Sequence, residues 1–324
     1  MNYSKEEFTY LSADGKTNIH AVRWLPDKPP IAILQIAHGI TEHIMRYDRF
    51  ACFMASQGFL VTGNDHIGHG HSIAAGAAPL YFGPEGSWKW AVQDVHRLYE
   101  LTISNTDKNS LRLPYVLFGH SLGSFLVRHC LILFPGMADA AILMGTGQMS
   151  QFPIFMGKAA ASAQARKSGE DIPNEKVRKL LFDSYNKNFR PNRTTADWLC
   201  SAEKGVDDFL ADPLCRRNVT PGLFRELMNG MAFACKWKNL RKTDLKVPVL
   251  FVSGGDDPVG ANGKGVSCAY RKFHRAGTQD VTMKLYPGLR HNLLDEDSWM
   301  DISQDICDWI LMRICSPATE SGVS

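Results

Sequence analysis

The feature that most restricts how this 324-residue chain can fold is a repeated alternation of short apolar runs with segments of helical periodicity. Short apolar runs bounded by turn residues indicate buried strands, whereas apolar side chains spaced three and four residues apart indicate helices. Strands that alternate with helices predict an α/β fold, a mostly parallel sheet with helices on both faces. The predicted strands are Ile31–Ala37, Phe59–Thr62, Tyr115–Phe118, Ala140–Met144, Val247–Val252 and Val281–Tyr286.

A hairpin and five helices complete this part of the prediction. Phe8–Leu11 and Ile19–Leu25 are joined across Asp14-Gly15, a pair that favours the tight turns of hairpins. Helical periodicity marks residues 47–54, Trp88–Leu101, Phe125–Phe134, Ala269–Ala276 and Ser298–Ile314.

The alternation is interrupted once, between residues 146 and 237. This segment holds no convincing strand and three helix-like stretches, Pro153–Arg166, Asn174–Phe189 and Gly222–Lys236. We therefore expect a helical cap, or lid, at 146–237, inserted into an α/β core formed by 1–145 and 238–315. The small, polar end of the chain, 316–324, is expected to be disordered.

Composition excludes several classes of protein. Hydrophobic residues make up 44% and charged residues 21%, as in soluble globular proteins. The net charge of +3 is too small to indicate a nucleic-acid partner. No apolar stretch reaches the ~18 residues of a membrane helix, and the first residues lack the apolar core of a signal peptide. Eight cysteines without a CxxC pair indicate reduced thiols, so we expect a cytoplasmic protein.

The sequence Gly119-His120-Ser121-Leu122-Gly123 matches the GxSxG pattern of a nucleophile elbow. It directly follows a predicted strand and precedes a predicted helix, which is the setting that such an elbow requires. Ser121 at the tip of the turn is the candidate nucleophile, and it needs a base and an orienting acid.

The base and the acid are expected after later strands, since open α/β sheets build their sites at the carboxyl ends of strands. His291 follows the strand Val281–Tyr286 and is the candidate base. The acid is Asp256 or Asp257, which both follow Val247–Val252. We favour Asp257, because Pro258 restrains the backbone directly after it.

Two backbone amides are candidates for an oxyanion hole, those of Leu122 and of Ile40, which follows His38-Gly39. Five histidines, at 38, 43, 66, 69 and 71, have short spacings that also occur in zinc sites. We favour a glycine-rich loop braced by histidine hydrogen bonds, and we predict neither a metal nor a cofactor.

The motifs HGITEHIMRY, NDHIGHGHS, GHSLGS, SGGDDPVG and YPGLRHNLLDE, in this order, resemble the monoacylglycerol lipase and lysophospholipase branch, also called serine aminopeptidase-like, of the α/β-hydrolase superfamily. The resemblance covers residues 8–313, and the cap resembles that of bacterial members. It implies the α/β-hydrolase fold, with Ser121, Asp257 and His291 as triad and the amides of Ile40 and Leu122 as oxyanion hole. Ile40-Thr41 replaces the small residues that follow HG in the lipases.

From these residues we expect a serine hydrolase that cleaves carboxylic esters through an acyl-enzyme. The expected substrate is a single-chain lipid ester, a monoacylglycerol or a lysophospholipid. The alternatives are a small-ester carboxylesterase, an aminopeptidase-type amidase, or a ligand-binding receptor on the same fold. In the cap, Phe224, Met228 and Met231 share one helical face and are candidate substrate-binding residues. The oligomeric state is not predicted.

Overall fold

The computed structural model describes residues 3–106, 112–215 and 217–314. In these ranges the chain forms a sheet of eight strands in the order β1-β2-β4-β3-β5-β6-β7-β8. The strands are β1 Tyr3–Leu11, β2 Asn18–Pro26, β3 Ala32–Ala37, β4 Phe59–Asn64, β5 Tyr115–His120, β6 Ala140–Met144, β7 Val249–Gly254 and β8 Val281–Tyr286. The helices are α1 Asp48–Ser56, α2 Trp88–Thr106, α3 Leu122–Leu133, α4 Gln151–Ser168, α5 Glu175–Asn186, α6 Glu203–Ala211, α7 Pro221–Ala234, α8 Trp237–Leu240, α9 Lys264–Ala276 and α10 Trp299–Ile314.

The pairing of the strands confirms the mostly parallel sheet. Strands β1 and β2 form the predicted antiparallel hairpin, and β2 also pairs antiparallel with β4. From β4 to β8 every neighbouring pair is parallel. The carboxyl ends of these strands therefore lie along one edge of the sheet, where the loops that follow them meet.

Side chains of the central strands alternate between two apolar layers. In β5, Tyr115 and Leu117 belong to the layer covered by α2, α3 and α9. Val116 and Phe118 belong to the opposite layer, which α1 and α10 cover. This period of two explains why the strand reads as a continuous apolar run, since both of its faces are buried.

Between β6 and β7 the chain forms only helices, α4 to α8, in the part that the structure describes. The sequence did not predict α6, a short and highly charged helix in which Gly205 and Val206 are buried. Helix α3 begins at Leu122, three residues before the predicted start at Phe125, so it starts directly after Ser121. The predicted disordered tail, 316–324, lies outside the described residues.

None of the described helices has the length and apolar content needed to span a bilayer. The seven cysteines in the described ranges are free thiols.

Candidate active site

Ser121 occupies a strained turn between β5 and α3. Its backbone has φ 52° and ψ −117°, in the positive-φ region that non-glycine residues rarely adopt. The two glycines of the motif make the turn possible. A Cβ on Gly119 would lie 2.5 Å from the carbonyl oxygen of Gly123, and one on Gly123 would overlap with the carbonyl of Ala37. The GxSxG pattern is thus required by backbone contacts on both sides of the serine.

Hydrogen bonds hold this turn in place. The Ser121 amide donates to the carbonyl of Met144 at 3.0 Å, which ties the turn to the end of β6. The Ser121 carbonyl accepts from the Ser124 hydroxyl at 2.6 Å. Strain at a turn persists only where surrounding structure enforces it, and such turns concentrate at functional sites.

Asp257 and His291 are hydrogen-bonded to each other, with Asp257 Oδ1 3.0 Å from His291 Nδ1. Both side chains are buried, whereas Asp256 is exposed. Burial alone would raise the pKa of Asp257, but attraction and hydrogen bonding to His291 outweigh it and lower the pKa. The Val259 amide and the Ser253 hydroxyl also donate to this carboxylate, at 2.8 and 3.1 Å. The structure therefore places Asp257 against the histidine.

The His291 ring lies beside the elbow. It lies against the ring of His120, the residue before Ser121, with centroids 4.9 Å apart and ring planes tilted by 40°. Its Cε1 would be 2.9 Å from a Cβ on Gly145, a glycine with φ 57°. Within the part of the chain that the structure describes, the Ser121 hydroxyl donates no hydrogen bond to His291. Hydrogen bonds between catalytic groups are often long in the absence of substrate and shorten when substrate binds.

The two candidate amides of the oxyanion hole lie on either side of Ser121. Leu122 is the first residue of α3, and Ile40 lies in the loop after β3. This loop approaches the serine closely, since a Cβ on Gly39 would lie 3.2 Å from Ser121 Cβ. Among the described residues, neither amide donates a hydrogen bond to a neighbour, so both N–H groups can serve an oxyanion.

A buried polar network, which sequence reasoning missed, fixes the Gly39 loop. Glu42 Oε1 accepts from the Gly39 amide and from the Tyr47 hydroxyl, the latter at 2.6 Å, and lies 3.1 Å from His120 Nδ1. Burial opposes the charge of Glu42, but attraction and hydrogen bonding to His120, together with the hydrogen bond from Tyr47, lower its pKa to about 2. Glu42 is thus a buried carboxylate that holds the loop of one candidate amide. The only signal for it in the sequence is the acid three residues after Gly39.

An apolar cavity of about 320 Å³ opens at Ser121 and Leu122. Its walls include Met228 and Met231 of α7, two of the three candidate substrate-binding residues from the sequence. Leu227 of the same helix also lines the cavity. Phe224 is not among the lining residues and packs instead toward α4, where its Cζ would be 3.7 Å from a Cβ on Gly157. Aromatic side chains that the sequence analysis did not single out also line the cavity, namely Phe125, Phe182, Tyr185 and Trp198.

Histidine side chains in the loops after β3 and β4 form hydrogen bonds with backbone groups. The amide of His66 donates to His38 Nε2 at 2.9 Å, and His66 Nε2 lies 3.0 Å from the His38 carbonyl. Burial lowers the pKa of His66 to about 3 and that of His69 to about 4. These contacts are those of a loop braced by neutral histidines.

In the described ranges, one group of potential metal ligands lies together, His43, Asp212 and Cys215. It shares only His43 with the set of five histidines in the sequence. Burial and the neighbouring Asp212 carboxylate raise the pKa of the Cys215 thiol, so it stays protonated at neutral pH.

Comparison with known proteins agrees with this geometry. The family model described as serine aminopeptidase, S33, matches residues 28–298. The monoacylglycerol lipase of Mycolicibacterium smegmatis is 24% identical over 97% of this chain and 100% of its own length. The monoglyceride lipase of Homo sapiens is 25% identical over 96% of this chain and 92% of its own. A thermostable carboxyl esterase from Bacillus coagulans, 24% identical, superposes with a TM-score of 0.87 over 97% of this chain and all of its own. The chain therefore belongs to the serine aminopeptidase S33 family and has the α/β-hydrolase fold.

Proposed function

We propose that this protein is a serine hydrolase that cleaves the carboxylic esters of single-chain lipids through an acyl-enzyme. The observation that carries the proposal is the apolar cavity that ends at Ser121, with the hydrogen-bonded pair of Asp257 and His291 beside it. The named relatives, a monoacylglycerol lipase and a monoglyceride lipase, support the same substrate class.

In the first half of the reaction, the Ser121 hydroxyl attacks the ester carbonyl carbon while His291 Nε2 takes its proton. Asp257 holds the ring through Nδ1 and stabilises the imidazolium that forms. The carbonyl oxygen becomes an oxyanion that accepts hydrogen bonds from the amides of Ile40 and Leu122. The carbon–oxygen bond to the alcohol then breaks, and the alcohol leaves with the proton from His291.

In the second half, a water molecule replaces the alcohol. His291 takes a proton from the water as its oxygen attacks the acyl carbon, and the same two amides bind the second oxyanion. The bond to Ser121 breaks, the serine regains its proton from His291, and the fatty acid is released. No metal or cofactor takes part in these steps, because the histidine activates the nucleophile.

The helices between β6 and β7 supply the outer walls of the cavity. Leu181, Phe182 and Tyr185 come from α5, and Met228 and Met231 come from α7. We assign 146–237 as a cap over the α/β core on this basis, although α8 continues past 237 and joins the core. The cytoplasmic location stays a prediction.

The dependence of kcat/KM on acyl chain length tests the substrate class. Each buried CH₂ contributes ~0.8 kcal/mol, about a fourfold gain, so a lipid enzyme should show kcat/KM rising over several carbons and then levelling. Met231→Trp fills the cavity and should move the plateau to shorter chains. Met300→Trp replaces an exposed methionine on α10 and should change nothing.

The alternatives give different results in the same assay. A carboxylesterase would peak at acetate or butyrate esters, and an amidase would prefer aminoacyl amides over esters of equal length. A receptor would bind the lipid and release no acid. A wild-type maximum at two carbons would refute the lipid assignment.

A further inference from the structure

The ring of His291 packs against two other rings, one from the α/β core and one from the cap. The centroid of the His120 ring, in the elbow, lies 4.9 Å away, and that of the buried Trp198 ring, in the cap, lies 5.2 Å away. The hydrogen bond between Nδ1 and Asp257 fixes one edge of the His291 ring but does not by itself fix the tilt of the ring. Packing against the two neighbouring rings therefore decides where Nε2 points, and Nε2 is the atom that takes the Ser121 proton in the proposed reaction.

The chain on both sides of His291 is bonded to residues 197–202, the Trp198 segment. The Asn292 amide donates to the Leu199 carbonyl at 2.6 Å. On the other side, Nη1 of Arg290 donates to two carbonyls of the segment, at 2.5 and 3.1 Å. These two carbonyls are those of Asp197 and Cys200. A shift of the Trp198 segment therefore moves residues 290–292, the histidine loop.

Glu296 strengthens the connection between the two segments. Its buried carboxylate accepts from the Arg290 amide at 2.9 Å and from the Ser201 amide, also at 2.9 Å. Hydrogen bonds to a carboxylate are stronger than those between neutral groups. One carboxylate thus joins the histidine loop to the Trp198 segment, so this part of the cap is a fixed support of the catalytic base.

Trp198 also forms part of the substrate cavity. Its ring packs against Phe182 and Tyr185 of α5, with centroids 5.5 and 5.2 Å apart. All three side chains line the apolar cavity of about 320 Å³ at the elbow, which we call the acyl cavity. The Trp198 amide donates to Asn186 Oδ1 of the same helix at 3.0 Å. An acyl chain in this cavity would therefore contact the same ring that packs against His291.

We propose that Trp198 is a positioning residue for His291, and that an acyl chain in the acyl cavity holds the two rings in the reactive arrangement. The inference rests on the proposed ester hydrolysis. It gives the cap a part in the rate of acylation as well as in substrate binding. A short acyl group fills little of the cavity and supports the Trp198 ring less, and a displacement of about 1 Å at a reacting group can lower a rate by about 10²-fold.

The test measures acylation alone, by rapid mixing with p-nitrophenyl acetate and p-nitrophenyl octanoate below their aggregation concentrations. The maximal rate constant of p-nitrophenol release in the first turnover reports the chemical step, and the half-saturating ester concentration reports binding. In the wild type we expect the maximal rate constant to be about tenfold higher for octanoate. Trp198→Ala should lower the octanoate value roughly 10- to 100-fold and remove most of the difference between the esters. Trp198→Phe keeps an aromatic ring and should keep part of the difference.

Arg290→Met tests the connection without changing the acyl cavity, because Arg290 does not line it. The guanidinium of Arg290 bonds the Trp198 segment and lies 4.1 Å from the ring centroid of Phe189. We expect the variant to lower the maximal rate constant for octanoate roughly tenfold and to leave the half-saturating concentration nearly unchanged.

Arg49→Met is the matched control for Arg290→Met. The guanidinium of Arg49 also donates to a backbone carbonyl, that of Leu294, and also lies 4.1 Å from a ring centroid, that of Trp299. These partners belong to the core and not to the cap. Arg49→Met should therefore leave both the maximal rate constant and the half-saturating concentration unchanged.

Three results would overturn the inference. The first is an equal maximal rate constant for the two esters in the wild type, and the second is a difference between them that Trp198→Ala or, if that variant does not fold, Arg290→Met leaves intact. The third is an Arg290→Met variant that changes only the half-saturating concentration, since that would assign the connection to binding. A folded wild-type protein that releases p-nitrophenol from neither ester would instead refute the proposed function.

Discussion

Replacing Asp257 by Asn tests how the acid works while changing the structure little. Asp257 Oδ1 binds His291 and the Val259 amide, and Oδ2 accepts from Ser253. An amide oxygen at the Oδ1 position keeps the first two bonds. The amide nitrogen then faces the Ser253 hydroxyl, which can rotate and accept. We therefore expect the variant to fold.

The loss of activity should be far larger than the loss of stability. A neutral amide cannot stabilise the imidazolium on His291, and the same change in a Ser-His-Asp triad lowers kcat by about 10⁴. That factor corresponds to about 5 kcal/mol of transition-state stabilisation. The Asp257 carboxylate is buried and has a lowered pKa, so its charge is present throughout the neutral range.

The neighbouring aspartate provides the control. Asp256 is exposed, and Asp256→Asn should change kcat within about twofold, as surface substitutions usually do. Initial rates with a short p-nitrophenyl ester, together with thermal unfolding followed by circular dichroism, separate catalysis from folding. If Asp256→Asn were the damaging change and Asp257→Asn the mild one, the assignment of the acid would be refuted.

Three further results are expected. Ser121→Ala and His291→Ala should each lower kcat by roughly 10³- to 10⁶-fold, and the double variant should lose little more, because triad members act as a unit; additive losses in steady-state kinetics would contradict the triad. Glu42 has a pKa of about 2 against an ordinary 4.5, so it stabilises the fold fully above pH 4.5 and less as the pH falls through 2. Between pH 4.5 and 2, the wild-type free energy of unfolding should therefore fall by an amount on the order of 3 kcal/mol that urea unfolding of Glu42→Gln does not show. An unchanged pH profile in the variant would contradict the role of Glu42. Overnight EDTA should leave ester hydrolysis unchanged, since a base activates Ser121; zinc lost together with activity would reverse this view.

Much of the fold followed from local sequence patterns. The strands Ala140–Met144 and Val281–Tyr286 have the predicted bounds, because buried parallel strands are marked by apolar runs between turn residues. Helix α6, with the sequence EKGVDDFLA, was not predicted, because it is only nine residues long and its apolar stripe is limited to Val206, Phe209 and Leu210. Its position depends on contacts with distant parts of the chain.

The same distinction between local sequence patterns and long-range contacts applies to the candidate site. Ser121, Asp257 and His291 each follow a strand within a short motif, so local sequence patterns were enough to predict them as candidates. The partners of Glu42, Tyr47 and His120, are brought together by the packing of separate loops, and no spacing in the sequence encodes their contact. The helical stripe that contains Phe224 and Met228 predicted a helix there, but it could not show which of the two side chains faces the cavity.

The central claim is that Ser121 carries the acyl group during turnover. Rapid mixing with a p-nitrophenyl ester, followed by an acid quench and peptide mass spectrometry, measures this directly. The account predicts a burst of about one equivalent of p-nitrophenol and an acyl mass on the peptide that contains Ser121, both absent in Ser121→Ala. Ester hydrolysis that proceeds without an adduct, and continues in Ser121→Ala, would contradict it.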